Sequence, residues 1–137
     1  MDLKFNRQHL ENMKKGIQYY NESKFWECHE ELEDPWMESL GDEAGRYVYW
    51  TVIQTATALY HYLDGNLAGA KGQINRAKEK IRQCEKKYIE SETLENALSW
   101  SKFKKLIKSI PGEPKLEDFD KLMKFKFKNP NAWDEIL

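Results

Sequence analysis

The sequence predicts an all-α fold: one domain spanning residues 1–137, built as an antiparallel bundle of five or six helices around a buried third helix. Three observations carry this expectation. Apolar residues recur at spacings of three and four along most of the chain, and no segment sustains the strict alternation of a half-buried strand. The stretch from Tyr47 to Leu63 is apolar around almost its whole circumference, the pattern of a helix surrounded by others. With 137 residues, 40% of them hydrophobic and five of them Trp, the chain can bury a core without disulfides or a structural metal.

The first helix is expected from Arg7 to Tyr20. Leu10, Met13, Ile17 and Tyr20 form its apolar face, and Asn6 is its N-cap. His9, in the polar start of that helix, is expected on the surface. Asn21-Glu22-Ser23 breaks the chain, and a second helix starts near Lys24 with the stripe Phe25, Cys28, Leu32 and Trp36. Pro35 removes the backbone bond to Glu31 and should kink or end that helix. Gly41-Asp42 makes a turn into the third helix, Glu43 to Asp64, in which Tyr49, Ile53, Leu59 and Tyr60 should all be buried. Gly65 fits the C′ position, and Asn66 can cap the next helix.

The fourth helix, Leu67 to Tyr88, carries Ala70, Ile74, Ala77, Ile81, Cys84 and Tyr88 on one face and charged residues on the other. The short link makes it antiparallel to the third. A fifth helix is expected from Thr93 to Ile110, ended by Pro111-Gly-Glu-Pro114. The remainder, with Phe119, Leu122, Phe125, Phe127 and Trp133, is too apolar for a free tail. It should form one short helix packed back on the bundle and then an extended end.

Charge is uneven although the net is -1. Residues 1–70 hold 6 Lys/Arg against 12 Asp/Glu, and residues 71–110 hold 11 against 5. Complementarity between helices and solvated faces accounts for this imbalance better than nucleic-acid binding, because no recognised motif accompanies the basic segment. Cys28 and Cys84 fit no metal-binding spacing, and both fall on apolar stripes as buried thiols. The opening Met-Asp-Leu-Lys-Phe-Asn has no apolar signal core, and no apolar run reaches the roughly 18 residues of a membrane span. A cytoplasmic protein without membrane contact is the expectation. Homo-oligomerisation is left open.

One constellation could carry chemistry. His29 and Glu33, four apart, leave the same side of the second helix. Gln54, Thr57 and His61 share one stripe of the third, running back through Trp50 and Tyr47. Polar groups on a buried helix call for something polar opposite them, so the two stripes are expected to face each other. As a purely structural element the cluster would be a hydrogen-bond network, His61 donating to Glu33 and Gln54 bridging to His29. As a site, two readings stay open. In one, a non-enzymatic module binds a small molecule or partner peptide in a polar pocket made by His29, Glu33, Gln54, His61, Trp36 and Trp50. In the other, His29, Glu33 and His61 ligate a divalent transition metal and Glu30 is the base of a hydrolase. The second differs from the His-Glu-x-x-His metallopeptidases in carrying Glu at position 33.

The run Phe25-Trp-Glu-Cys-His-Glu-Glu-Leu-Glu-Asp-Pro-Trp36, followed by Ile53-Gln54, Ala58-Leu-Tyr-His61, Gly65-Asn66 and Gly69-Ala70, resembles the bacterial domain-of-unknown-function family numbered 309. The resemblance covers roughly residues 20–85 and leaves 90–137 outside; Pro35 departs from the family's helix-friendly residue before the Trp. It implies an all-α bundle and a bacterial or archaeal source, and it supplies no activity. The loop Asn21–Phe25 and the turn Gly65-Asn66 are loosely similar to helix-turn-helix units of tetratricopeptide-like repeats, without a visible 34-residue period.

Overall fold

The computed structural model describes residues 4–137; the opening residues 1–3, part of the stretch read above for a signal core, lie outside the described residues. Among the described residues there are eight α-helices: α1 (Arg7–Asn21), α2 (Phe25–Met37), α3 (Glu43–Leu63), α4 (Leu67–Lys86), α5 (Glu92–Leu98), α6 (Trp100–Lys108), α7 (Asp120–Lys124) and α8 (Trp133–Ile136). Short 3-10 turns precede the last two, at Leu116–Phe119 and Pro130–Ala132. No strand occurs among the described residues. No helix among them is long and apolar enough to cross a membrane.

The helix count exceeds the expected five or six for two local reasons. The fifth helix breaks at Ser99, whose left-handed backbone (φ 48°) ends α5 and begins α6. The chain end forms α8 in addition to the one short helix expected there. Pro35 sits inside α2, which ends two residues later at Met37.

The start signals act as read. The Asn6 side chain accepts from the Gln8 and His9 amides. The Asn66 side chain accepts from the Gly69 amide, and Gly65 takes a left-handed φ of 70°, which a side chain would strain.

α3 packs most extensively against α4, then α2, and α1 packs on α2. Val48, Tyr49, Val52, Ile53, Ala56, Ala58 and Leu59 are buried, so α3 is central over most of its length. It is not buried throughout. Tyr60 is 43% exposed and Leu63 57%. Tyr60 stacks only on Trp26 of the first turn of α2 and on its neighbour His61, and beyond that turn α2 offers no cover.

At the other side of the bundle, Tyr20, Phe103, Phe125 and Phe127 share one ring cluster, with Tyr20 and Phe127 centroids 4.8 Å apart. The alternating Phe125–Lys128 segment is extended. Instead of pairing with a strand, the backbone of Phe127 is held at both its N–H and its C=O by the Asn21 side-chain amide. Cys28 and Cys84 are buried free thiols. Burial, with the Glu90 carboxylate nearby, pushes Cys84 up to about 12.

A polar cavity between three helices

The geometry of α2, α3 and α4 encloses a cavity of about 210 Å³. α2 contributes His29, Glu33 and Trp36 to it. These positions fall at i, i+4 and i+7, so one face of the helix presents all three. α3 contributes Trp50, Ile53, Gln54 and Thr57, and α4 adds Gln73 and Arg76. The expected opposition of the two polar stripes is present for His29, Glu33, Trp36, Trp50 and Gln54.

The hydrogen bonding of these groups is incomplete. Buried polar groups in folded proteins nearly always find partners. Within α3 the three threonines do: Thr51, Thr55 and Thr57 each donate to the carbonyl four residues back, at 2.7, 2.8 and 2.9 Å. Gln54 cannot reach back in this way. Its Oε1 is buried without a partner, as are His29 Nδ1 and Trp36 Nε1. Three of the four such atoms found among the described residues belong to side chains that line one cavity; the fourth is Tyr20 Oη in the ring cluster. Leaving one unsatisfied costs about 1–3 kcal/mol. His29 Nε2 lies 3.8 Å from Glu33 Oε2, a loose pair at the solvent side.

Cations gather around the two indoles. Trp36 and Trp50 stand with centroids 5.1 Å apart. The Arg46 guanidinium lies 4.7 Å from the Trp36 ring centre and 5.3 Å from that of Trp50, and it donates to the Trp36 carbonyl at 3.2 Å. Lys80 lies 4.2 Å from the Trp50 ring centre. Burial holds the Lys80 ammonium below its ordinary value; Glu79 opposes the shift and Arg76 adds to it.

His61 is not part of this cavity. It shares a stripe with Gln54 but sits two helical turns along, a rise of about 10 Å. Its Nδ1 is 3.2 Å from Asn66 Nδ2, whose companion Oδ1 takes the Gly69 amide; Nδ1 is thus the acceptor and Nε2 carries the proton. A Cβ at Gly69 would come within 2.6 Å of the His61 ring, so the glycine is what lets the imidazole lie on the start of α4. His61 therefore locks the α3–α4 turn. Between it and His29 run Tyr60 and Trp26, with centroids 5.6, 5.3 and 4.9 Å apart in succession. The expected network, His61 to Glu33 and Gln54 to His29, is not formed.

Two further expectations are corrected. The ligand set His29, Glu33 and His61 is not assembled: among the described residues, no three His, Cys, Asp or Glu side chains gather in a way that could hold a metal ion. Glu30, expected as a base, is on the exposed face of α2 and does not line the cavity. The donor set does not fit a metal ion.

Some structurally important residues escaped the sequence reading. His9 is 7% exposed, not on the surface; Asn6 N–H donates to its Nδ1, and its Nε2 lies 2.8 Å from Asp42 Oδ2. Gln73, Arg76 and Lys80 were passed over as a solvated face of α4, although their i, i+3, i+7 spacing was visible.

Fold and cavity together define a helical bundle with a small polar pocket at the junction of α2, α3 and α4. Residues 13–73 match the model of a family described as Domain of unknown function (DUF309), and the family resemblance is shown over that stretch. Over 75 residues the chain is 36% identical to uncharacterized protein YpuF of Bacillus subtilis (strain 168); the alignment takes in 54% of this chain and 41% of that protein. No solved structure gives a significant match.

Proposed function

We propose that this protein is a non-enzymatic binding module whose ligand, a small molecule, occupies the cavity lined by His29, Glu33, Trp36, Trp50 and Gln54. The observation that carries the reading is that three of the four unpartnered buried polar atoms, Trp36 Nε1, Gln54 Oε1 and His29 Nδ1, belong to side chains lining one cavity. An indole N–H only donates, an amide oxygen only accepts, and an imidazole nitrogen does either. A ligand that offers an acceptor and a donor at the right places recovers what folding leaves unsatisfied. Stacked rings beside such groups are the usual make-up of a small-molecule site. A partner peptide would enter only as a single side chain, since an apolar cavity of about 150 Å³ already takes a benzene ring and this one is about 210 Å³.

The test is a fragment screen by nuclear magnetic resonance, watching the Trp36 indole N–H and the Gln54 side-chain amide, with Trp36→Phe used to assign the indole signal. Saturable shifts of both signals support the reading. A chemically diverse fragment set that moves neither would overturn it.

A further inference from the structure

The charges around the cavity say which kind of molecule it suits. Arg76 lines it, and Arg46 and Lys80 lie against the two indoles beside it. The cavity carries one carboxylate, Glu33, which is paired loosely with His29. Of the neighbouring acids, Glu79 binds Arg82 while also acting on Lys80, and Glu43 pairs with Lys87. Three cations thus face one carboxylate. Arg76 and Lys80 are four apart on α4, where like charges repel. The Trp50 ring under Lys80 offsets part of this, because indole faces attract cations.

Depth and mouth differ in chemistry. Gln54 is 7% exposed, and its unpartnered oxygen, like Trp36 Nε1 and His29 Nδ1, belongs to a side chain of the cavity lining. Arg76 is exposed. A molecule complementary to both ends has a flat, hydrogen-bonding body of roughly eight heavy atoms, on the scale of a benzene ring in about 150 Å³, and an anionic group that reaches Arg76.

We propose that the cavity binds a small organic anion whose planar body has both donors and acceptors and whose carboxylate or phosphate sits at Arg76 and Lys80. This rests on the pocket reading above and adds the ligand class. The body donates to Gln54 Oε1 and accepts from Trp36 Nε1. The anion relieves the Arg76–Lys80 repulsion.

Four probes separate the contributions: orotate, a hydrogen-bonding ring with a carboxylate; uracil, the same ring without charge; benzoate, an anion without ring donors; and benzamidinium, a cation. Affinities come from titrations that follow the Trp36 indole N–H, with the intact chain and with Arg76→Gln and Arg76→Gln/Lys80→Gln. Arg76 is exposed and Lys80 half-buried, and an unchanged melting temperature verifies folding. Orotate should bind at least about tenfold tighter than uracil and than benzoate. The double substitution should bring orotate down to the level that uracil shows with the same variant. Uracil or benzamidinium binding as tightly as orotate, with no response to the substitutions, overturns the anion assignment and leaves the pocket standing. If none of the four moves the indole signal, the anion class is overturned, and the diverse fragment screen decides the pocket independently.

Discussion

His9 Nε2 lies 2.8 Å from Asp42 Oδ2 across a sequence gap of 33 residues, joining the first turn of α1 to the first turn of α3. Each member also caps its own helix. The Asn6 amide donates to His9 Nδ1, and the Gly45 amide donates to Asp42 Oδ1. With Nδ1 accepting, the proton is on Nε2 and points at the carboxylate. Phe5 stacks on the imidazole at 5.0 Å and covers it. Asp42→Ala should therefore cost about 1–3 kcal/mol, since it strips both a cap and the partner of a buried ring nitrogen. Asp42→Asn, which keeps one acceptor oxygen for the Gly45 amide but turns an NH2 donor toward His9 Nε2, should keep the cap, lose the bond to His9 and cost less than Asp42→Ala. Urea denaturation of the two variants checks the order; equal midpoints for wild type and Asp42→Ala would remove the dyad from the list of structural ties.

Gly16 is the close-approach point of α1 on α2. A Cβ there would fall 2.6 Å from Leu32 Cδ2 and Cγ, and Leu32 is fully buried, so it has no room to retreat. Gly16→Ala should destabilise by about 1–3 kcal/mol through overpacking, even though alanine is the better helix former by about 1 kcal/mol. Gly72, which meets nothing within 4 Å, makes the control: Gly72→Ala, also within a helix, should stabilise. Thermal melts of the pair should move in opposite directions.

Where sequence and structure part, the separation has a physical pattern. Local signals were legible, except that Tyr88, expected at the end of the α4 stripe, lies past that helix and is 78% exposed: Asn6 and Asn66 as caps, Gly65 as a left-handed stop, the apolar stripes of α1, α2 and, up to Cys84, α4. Each depends on neighbours within a turn or two. Ser99 gave no warning, because serine does not announce a left-handed backbone as glycine does. Tyr60 is apolar in type but lies where α2 begins, so its exposure depends on the length of another helix. His9 looked polar and superficial because Asp42, its partner, is remote in sequence. The candidate site divides in the same way. Helical spacing puts His29 and Glu33 on one face and Gln54 and His61 on one stripe; Trp36, expected on the apolar stripe of α2, lines the cavity beside the first pair. A stripe fixes direction but not height, and two turns along α3 carry His61 out of the cavity into the Gly65–Gly69 turn. The cations of α4 were visible as charges; only the packing turns them toward Trp50.

Acid should weaken the contact of α4 with α6. Glu85 accepts from Lys108 at 2.8 and 2.9 Å and from Lys104 at 3.1 Å. The Lys108 hydrogen bond, the largest cause, and that of Lys104 outweigh burial and hold the Glu85 carboxyl below the usual carboxylate range. The folded chain thus binds fewer protons here than the unfolded one. The stabilisation is present above the unfolded value of about 4.3 and is lost as pH falls through the lower folded value. Glu85 is 34% exposed, so solvent screening keeps the loss under about 1 kcal/mol. Glu85→Gln should flatten the fall in urea midpoint below about pH 4.3. An identical acid limb in the variant would show that the carboxylate adds nothing there.

The cavity makes a stability prediction that runs against the usual effect of core substitutions. Most changes at a 7% exposed position destabilise. Gln54 is different, because its Oε1 is buried without a partner and already carries a desolvation cost of about 1–3 kcal/mol. Methionine has a similar length and no such cost. Gln54→Met should therefore leave the ligand-free protein as stable as wild type or stabilise it by up to about 2 kcal/mol. The same change should abolish binding of any molecule that donates to Oε1. Glu33→Ala sharpens the contrast. Its side chain is 46% exposed and its partner is 3.8 Å away, so removal should shift stability by less than about 0.5 kcal/mol. If instead the side chains formed a closed network, both substitutions would strand partners and cost several kcal/mol. Urea denaturation without ligand reads one quantity, and titration of the Trp36 indole signal reads the other. Stability held while binding is lost is the signature of a residue kept for a ligand; a loss of more than about 2 kcal/mol in Gln54→Met would mean that the amide supports the fold.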